Sequence, residues 1–187
     1  MKLVFLLEEK SMQTLLDIIL PSILPPTVEF KTIPHSGKSD LQASIPRKLK
    51  AWNEPDVKFI IVQDQDSADC IKLKEKLVNL CSSSGKMFLV RIACKELESW
   101  YFGDLLALSK AYNKDFTKLS LKNKYKIPDR IENPKDELKK LIPFHQQIAG
   151  ARKIGPFMNI HNNRSASFQC FISGIKKMCD EDCRKTT

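Results

Sequence analysis

Residues 56–66, Asp-Val-Lys-Phe-Ile-Ile-Val-Gln-Asp-Gln-Asp, constrain the fold more than any other stretch of the chain. The apolar, β-rich middle of the run, 59–62, reads as a strand covered on both faces, as in a parallel sheet flanked by helices. It ends in two acids spaced i, i+2, Asp64 and Asp66. In open sheets of this class ligands bind beyond the carboxyl ends of the strands, where both acids would stand. Carboxylates held side by side repel unless a cation lies between them, and an all-oxygen ligand set suits Mg2+ or Mn2+ better than zinc. The plainer reading makes them turn residues leading into a helix capped by Ser67. Further acids on the same edge decide between the two.

The order of elements supplies them. Residues 2–7 form a short apolar strand that runs into Glu8 and Glu9. Ser11 can cap a helix with Met12, Leu15, Leu16 and Ile19 on one face, stopped by Pro21, Pro25 and Pro26. Residues 28–33 alternate as a second strand, 34–40 are a loop, and Leu41, Ile45, Leu49 and Trp52 recur at helical spacing around Pro46. After the opening stretch, Cys70, Leu73, Leu77 and Leu80 mark another helix. Residues 86–93 then form a fourth strand, followed by an acidic, aromatic segment that opens a helix to about Tyr112. This alternation predicts an α/β fold with a mostly parallel sheet over residues 1–112.

Residues 113–187 read as a basic helical appendage packed on that domain. Its first part, 113–132, is polar, Lys-rich and aperiodic. Asn133-Pro134 starts a short helix with Leu138, Leu141 and Ile142 inward, and a last helix carries Phe168, Phe171, Ile172, Ile175 and Met178. A polar tail closes the chain from Cys179.

A net charge of +9 and a pI near 9.2 point to a polyanionic partner, most simply nucleic acid, and the basic residues crowd the second half. No apolar run approaches the roughly 20 residues that span a bilayer, so no membrane partner is expected. The run 2–7 is too short for a signal peptide, which predicts a cytoplasmic protein. The six cysteines form no Cys-x-x-Cys pair and read as reduced core residues rather than zinc ligands. His35, His145 and His161 have no metal-ligand spacing.

Acids therefore stand at the ends of three strands: Glu8 with Glu9, Asp64 with Asp66, and Glu96 with Glu98. Carboxylates converging on one edge call for one or two hard divalent cations, which near a phosphodiester can activate water and stabilise the leaving oxygen.

A strand ending in Glu followed by a strand ending in Asp-x-Asp resembles the TOPRIM domains of topoisomerases, primases and OLD-type nucleases. The phrase from Arg91 to Asp104, with its Glu96-Leu97-Glu98-Ser99-Trp100 core, resembles more closely a family of small stand-alone TOPRIM-like bacterial proteins. So do Gly37-Lys38-Ser39-Asp40-Leu41, Asn133-Pro134-Lys135 and the residues from Asn163 to Phe168. Members are often encoded beside AAA or ABC-type ATPases and linked to phage defence. The resemblance covers nearly the whole chain. It implies a metal-dependent TOPRIM-type nuclease with an ATPase partner, in which Glu8, Asp64, Asp66 and Glu96 are Mg2+ or Mn2+ ligands or the general base. Two positions depart from the pattern. Glu9 stands where a Gly is usual, and Met12 where the nucleases carry a further acid, so Glu9 or Glu98 would have to supply that ligand.

Other residues are read beside their plainer alternatives. Trp100 and Tyr101 are core rather than base-stacking groups. Lys38, after Gly37, is placed to touch phosphate, although its loop lacks the earlier glycine of a P-loop. Arg152, in a basic turn with Lys153, matches a family position. A phosphate contact or transition-state role is expected for it, against a surface salt bridge. Arg164 orders the start of the last helix.

The competing function is a catalytically weakened interaction subunit of an ATPase-containing complex, favoured by Glu9 and Met12. A receiver-like phosphoacceptor is a third reading. Asp66, Glu96, the positive charge and the basic appendage count against it.

Overall fold

The computed structural model describes residues 1–183. Four strands, β1 (Lys2–Leu7), β2 (Glu29–Pro34), β3 (Val57–Asp64) and β4 (Phe88–Ala93), form one sheet in the order β2-β1-β3-β4. All three pairings are parallel, so every carboxyl end lies on one edge. The α/β architecture read from the sequence is the one observed. β3 is buried along all eight residues, which explains its unbroken apolar core: a central strand meets side chains on both faces. At the edges, β2 has no fully buried residue and β4 is half-covered.

Two apolar layers sandwich the sheet. On one face Val4, Leu6, Phe59, Ile61 and Val90 pack beneath α2 (Lys38–Ala51) and α3 (Cys70–Ser82). On the other, Leu3, Phe5, Leu7, Ile60 and Val62 join a larger core shared with six helices. It is built around α1 (Lys10–Ile19), α4 (Glu98–Gly103), α5 (Leu105–Tyr112), α6 (Pro134–Leu141), α7 (Gln147–Ile154) and α8 (Ala166–Cys183). Trp100 is central to it, with ring centroids 5.2 Å from both Phe168 and Phe171, and its indole N–H donates to Ser167 Oγ at 3.0 Å. Trp100 and Tyr101 are thus core residues. No helix among the described residues is long and apolar enough to cross a membrane.

Several local expectations are corrected. α1 starts one residue before Ser11, with Glu9 at its N-cap position and the Ser11 hydroxyl donating to the Glu9 carboxylate. α3 is capped by Asp69, whose carboxylate accepts from the Lys72 N–H at 2.9 Å, and not by Ser67. The helix expected to reach Tyr112 is two helices, because Asp104 leaves helical geometry and caps α5 through the Ala107 N–H at 2.9 Å. Residues 113–132 hold three short 3-10 turns. Arg152 lies in α7, not in a turn. The tail expected from Cys179 is helical to Cys183, and its remainder, 184–187, lies outside the described residues.

Candidate functional site

β1 connects to β2 on one side, and the chain then crosses to β3 on β1's other side. The strand order therefore reverses between β1 and β3, and the switch-point crevice at which sheets of this class bind ligands corresponds to the region beyond their carboxyl ends. Glu8 follows the last residue of β1 and Asp64 is the last of β3. The Asp64 N–H donates to Glu8 Oε2 at 3.1 Å, so the two strand ends are joined through an acid.

Glu98 completes the group. It is the first residue of α4, only 2% exposed, and its charge and that of Glu8 act on Asp64. The loops beyond β3 and β4 that set this arrangement are tied together. Asp66 N–H donates to Lys95 O at 2.7 Å, and Gln65 N–H to Ala93 O at 2.9 Å. Asp66 and Lys95 both hold positive φ, 52° and 63°, a conformation that costs non-glycine residues free energy and clusters at functional sites.

The electrostatics of the group are unfavourable as it stands. Burial, then the charges of Glu98, Glu8 and Glu9, drive Asp64 well above the usual carboxylate range. Burial first, with repulsion from Asp66 and Glu9, lifts Glu8 to about 7 against the Asp64 N–H that favours its charged form. Burial also lifts Glu98 to about 7, with Glu96 and Glu9 adding repulsion. Asp64 Oδ1 is buried with no hydrogen-bond partner, and so is the Tyr101 hydroxyl, which feels the charges of Glu98, Glu9 and Asp64. Buried polar atoms are normally paired, so orphans gathered at one crevice need a reason.

The remaining sequence candidates lie around this centre. Asp66 flanks it, its Oδ2 accepting from Lys38 Nζ at 2.9 Å. Lys38 is the first residue of α2, where Gly37 enters the helix at φ 93° with its N–H on Glu8 O at 3.0 Å. Glu96 stays within electrostatic reach of Glu98, but its Oε2 accepts from the Lys135 N–H at 2.9 Å, in the first turn of α6. Arg152 and Lys153 are exposed on α7, the Lys153 ammonium 5.6 Å from the Tyr112 ring centroid. Arg164 ties the approach to α8, donating to Phe102 O at 3.0 Å.

Residues given no role in the sequence also matter. Gln147, on α7, donates to both Glu9 oxygens at 3.1 and 3.4 Å. His145 Nδ1 lies 2.6 Å from the Tyr112 hydroxyl. Both link distant segments, and no local pattern marks them.

The donor set is all carboxylate, which fits a hard divalent ion. Among the described residues, no three His, Cys, Asp or Glu side chains close into a coordination shell of their own. Mg2+ commonly takes only one or two carboxylates and fills the rest with water and substrate phosphate, so Glu8 and Asp64, with the orphaned Oδ1, fit that requirement.

A family model described as a domain of unknown function, DUF4276, matches residues 7–176. The fold is similar to a solved structure, the C-terminal region of the OLD protein of Xanthomonas campestris pv. campestris. The likeness covers 98% of this chain and 97% of that one, with a TM-score of 0.54 and 10% identity. At that identity the likeness is one of fold. No curated protein matches the chain in sequence.

Proposed function

The chain belongs to the DUF4276 family, and for it we propose metal-dependent hydrolysis of phosphodiester bonds in nucleic acid, of TOPRIM type, at the Glu8–Asp64–Glu98 crevice. The observation that carries the proposal is the partnerless Asp64 Oδ1, buried among acids where the strand order reverses. Protonation or a cation relieves such a group, and only the cation gives it a use at neutral pH.

Glu8 and Asp64 are the residues that would hold Mg2+ or Mn2+, with Asp66 and Glu98 at the margins. When bound, such an ion supplies Lewis acidity and a water acidified toward neutrality. Glu98, buried and pushed up to about 7, can hold or accept a proton at that edge. Glu96 fastens α6 beside it. Lys38, Arg152 and Lys153 bring phosphate toward carboxylates that would otherwise repel it. An AAA or ABC-type ATPase partner and a place in phage defence belong to the same reading, supported by the TOPRIM-like resemblance and the likeness of fold to the OLD region.

The test is a cleavage assay on single-stranded DNA, duplex DNA and RNA with Mg2+ and with Mn2+, for the wild type and Asp64→Asn. Cation-dependent cleavage lost in Asp64→Asn supports the proposal; no cleavage under any condition defeats it. The second reading, an interaction subunit with weakened catalysis, draws on Met12, which is fully buried in the core where the nucleases would carry another acid. It expects no cleavage from either protein, with assembly alone affected.

A further inference from the structure

A second charged feature lies outside the carboxylate crevice. Between the 3-10 turns of residues 123–130 and α6 is a cavity of about 640 Å³, walled by Lys124, Lys126, Arg130, Lys140, Glu137 and Ile127 among others. That volume falls within the roughly 300–1,000 Å³ of small-molecule sites. Four cations in its wall face two acids, Glu132 and Glu137, so the lining is positive by two.

The two acids are not equivalent. Glu137 is 6% exposed and is used as an anchor: its Oε2 accepts from Lys124 Nζ at 2.6 Å and from the Tyr125 hydroxyl at 3.0 Å, and its Oε1 from Lys140 Nζ at 2.7 Å. Each ammonium has three donors and spends one on Glu137, leaving two to offer an anion from a fixed position. Lys126 and Arg130 have no hydrogen bond or ion pair from their side chains among the described residues. The cavity therefore combines two anchored cations with two free ones. Ile127, 48% exposed, adds an apolar wall.

The cavity is also joined to the crevice. The helix that supplies Glu137 and Lys140 begins with the turn whose Lys135 N–H binds Glu96 Oε2. The cavity wall and the acidic edge thus share one helix, α6.

We propose that this cavity binds the phosphodiester backbone of a single nucleic-acid strand, with Lys124, Lys126, Arg130 and Lys140 on phosphate and the nucleoside against Ile127. The proposal deepens the hydrolase reading and rests on it for the fate of the strand. A concave, amphipathic cavity of this size suits one or two unpaired nucleotides better than the side of a rigid duplex. Glu137 is a positioning residue: it touches no substrate and acts through the two lysines.

The experiment is fluorescence anisotropy of a labelled single strand of about 12 nucleotides on the full chain in EDTA, so that no cleavage occurs. Three variants are compared: Lys126→Gln with Arg130→Gln, Glu137→Gln, and a charge control on α2, Lys48→Gln with Lys50→Gln. The cavity double variant should bind about tenfold more weakly. Its salt slope should be shallower by roughly 1.4, two contacts at about 0.7 each on a single strand. The α2 control should change affinity less than twofold. Glu137→Gln should weaken binding although it removes a negative charge, because both ammonium groups lose their anchor. Bulk electrostatics gives the opposite sign.

Equal binding by the cavity and α2 double variants overturns the proposal, as does tighter binding by Glu137→Gln. Should Glu137→Gln fail to fold, the exposed pair decides alone. A cleavage assay of the wild type with Mg2+ and with Mn2+ separates the two claims. Cleavage absent in the wild type, with binding still lost in the cavity variant, sinks only the hydrolase reading; binding insensitive to the cavity sinks only this one.

Discussion

The N–H of Asp64 donates to the carboxylate of Glu8 across the two central strands, 3.1 Å from N to Oε2, while Asp64 Oδ1 has no partner at all. A backbone N–H thus favours the charged form of each acid, that of Asp64 for Glu8 and that of Leu97 for Asp64, yet Asp64 keeps one unpaired oxygen amid the repulsion of Glu98 and Glu8. The strand ends are fixed by the sheet, so the two acids cannot drift apart to relieve it.

Asp64→Asn removes that repulsion at nearly constant volume. The folded protein should survive and gain about 1 kcal/mol at pH 8, roughly 2–4 °C in melting temperature for a chain of this size. Metal-dependent cleavage should fall by orders of magnitude. Thermal melting and cleavage on the same preparation check both; a large drop in melting temperature would mean that Asp64 serves the fold and not the site.

Stability of the metal-free protein should depend on pH in part through Glu8 and Glu98. Both are raised by burial from the ordinary 4.5 to about 7. As pH rises past 4.5 the unfolded chain releases protons that the folded chain still holds at these two acids, so they lower stability between about 4.5 and 7. Raised Asp64 acts in the same direction, and His145, held by burial at about 4, acts against them up to about 6.5. Glu98→Gln should therefore remove part of the fall. For the buried Glu98 the loss is about 3 kcal/mol. Mg2+ or Mn2+ competes with those protons, so either ion should raise the melting temperature more at pH 8 than at pH 5. Equal shifts at both pH values would place the ion elsewhere.

β1 and β3 were legible because their apolar runs are covered on both faces, and Glu8 and Asp64 follow directly from where those runs end. Asp69 outcompeted Ser67 as a cap because the 64–69 turn contains several cap-forming residues, and Asp66 is drawn into positive φ by its bond to Lys95. Glu98 was not separable from Glu96 in the sequence, since both follow the fourth strand closely and only the start of α4 at Glu98 sets their different surroundings. α7 has a glycine in its middle and few buried apolar positions, so its pattern is weak. The bond from Gln147 to Glu9 joins residues 138 apart and is beyond any local reading.

Gly150→Ala tests how α7 is seated. A Cβ at this position would lie 2.1 Å from His145 Cε1, in the ring whose Nδ1 meets the Tyr112 hydroxyl. The ring is 4% exposed and must shift to admit the Cβ, so the cost should be about 1–3 kcal/mol by urea unfolding. Gly85→Ala, at φ 66° with open space around it, is strained by backbone alone and should cost about 1 kcal/mol. Similar wild-type-like stability in Gly150→Ala would mean that the His145 ring swings aside.

Arg152 and Lys153 are neighbours on α7, yet their substitutions should read differently. Lys153 lies over the Tyr112 ring, a contact worth about 0.5–1 kcal/mol at an exposed site, so Lys153→Ala should lower stability slightly. Arg152 is exposed, and Arg152→Ala should leave the melting temperature unchanged. If its guanidinium meets phosphate, the same substitution weakens binding to all sequences alike and makes the salt slope shallower by about 0.9 on duplex DNA or about 0.7 on a single strand. An interaction subunit gives a different result: wild-type binding to nucleic acid is negligible, and Arg152→Ala disturbs only assembly with the ATPase. Binding isotherms for the wild type and Arg152→Ala over a range of salt concentrations distinguish these outcomes. A flat wild-type response would remove nucleic acid as the ligand of this basic surface.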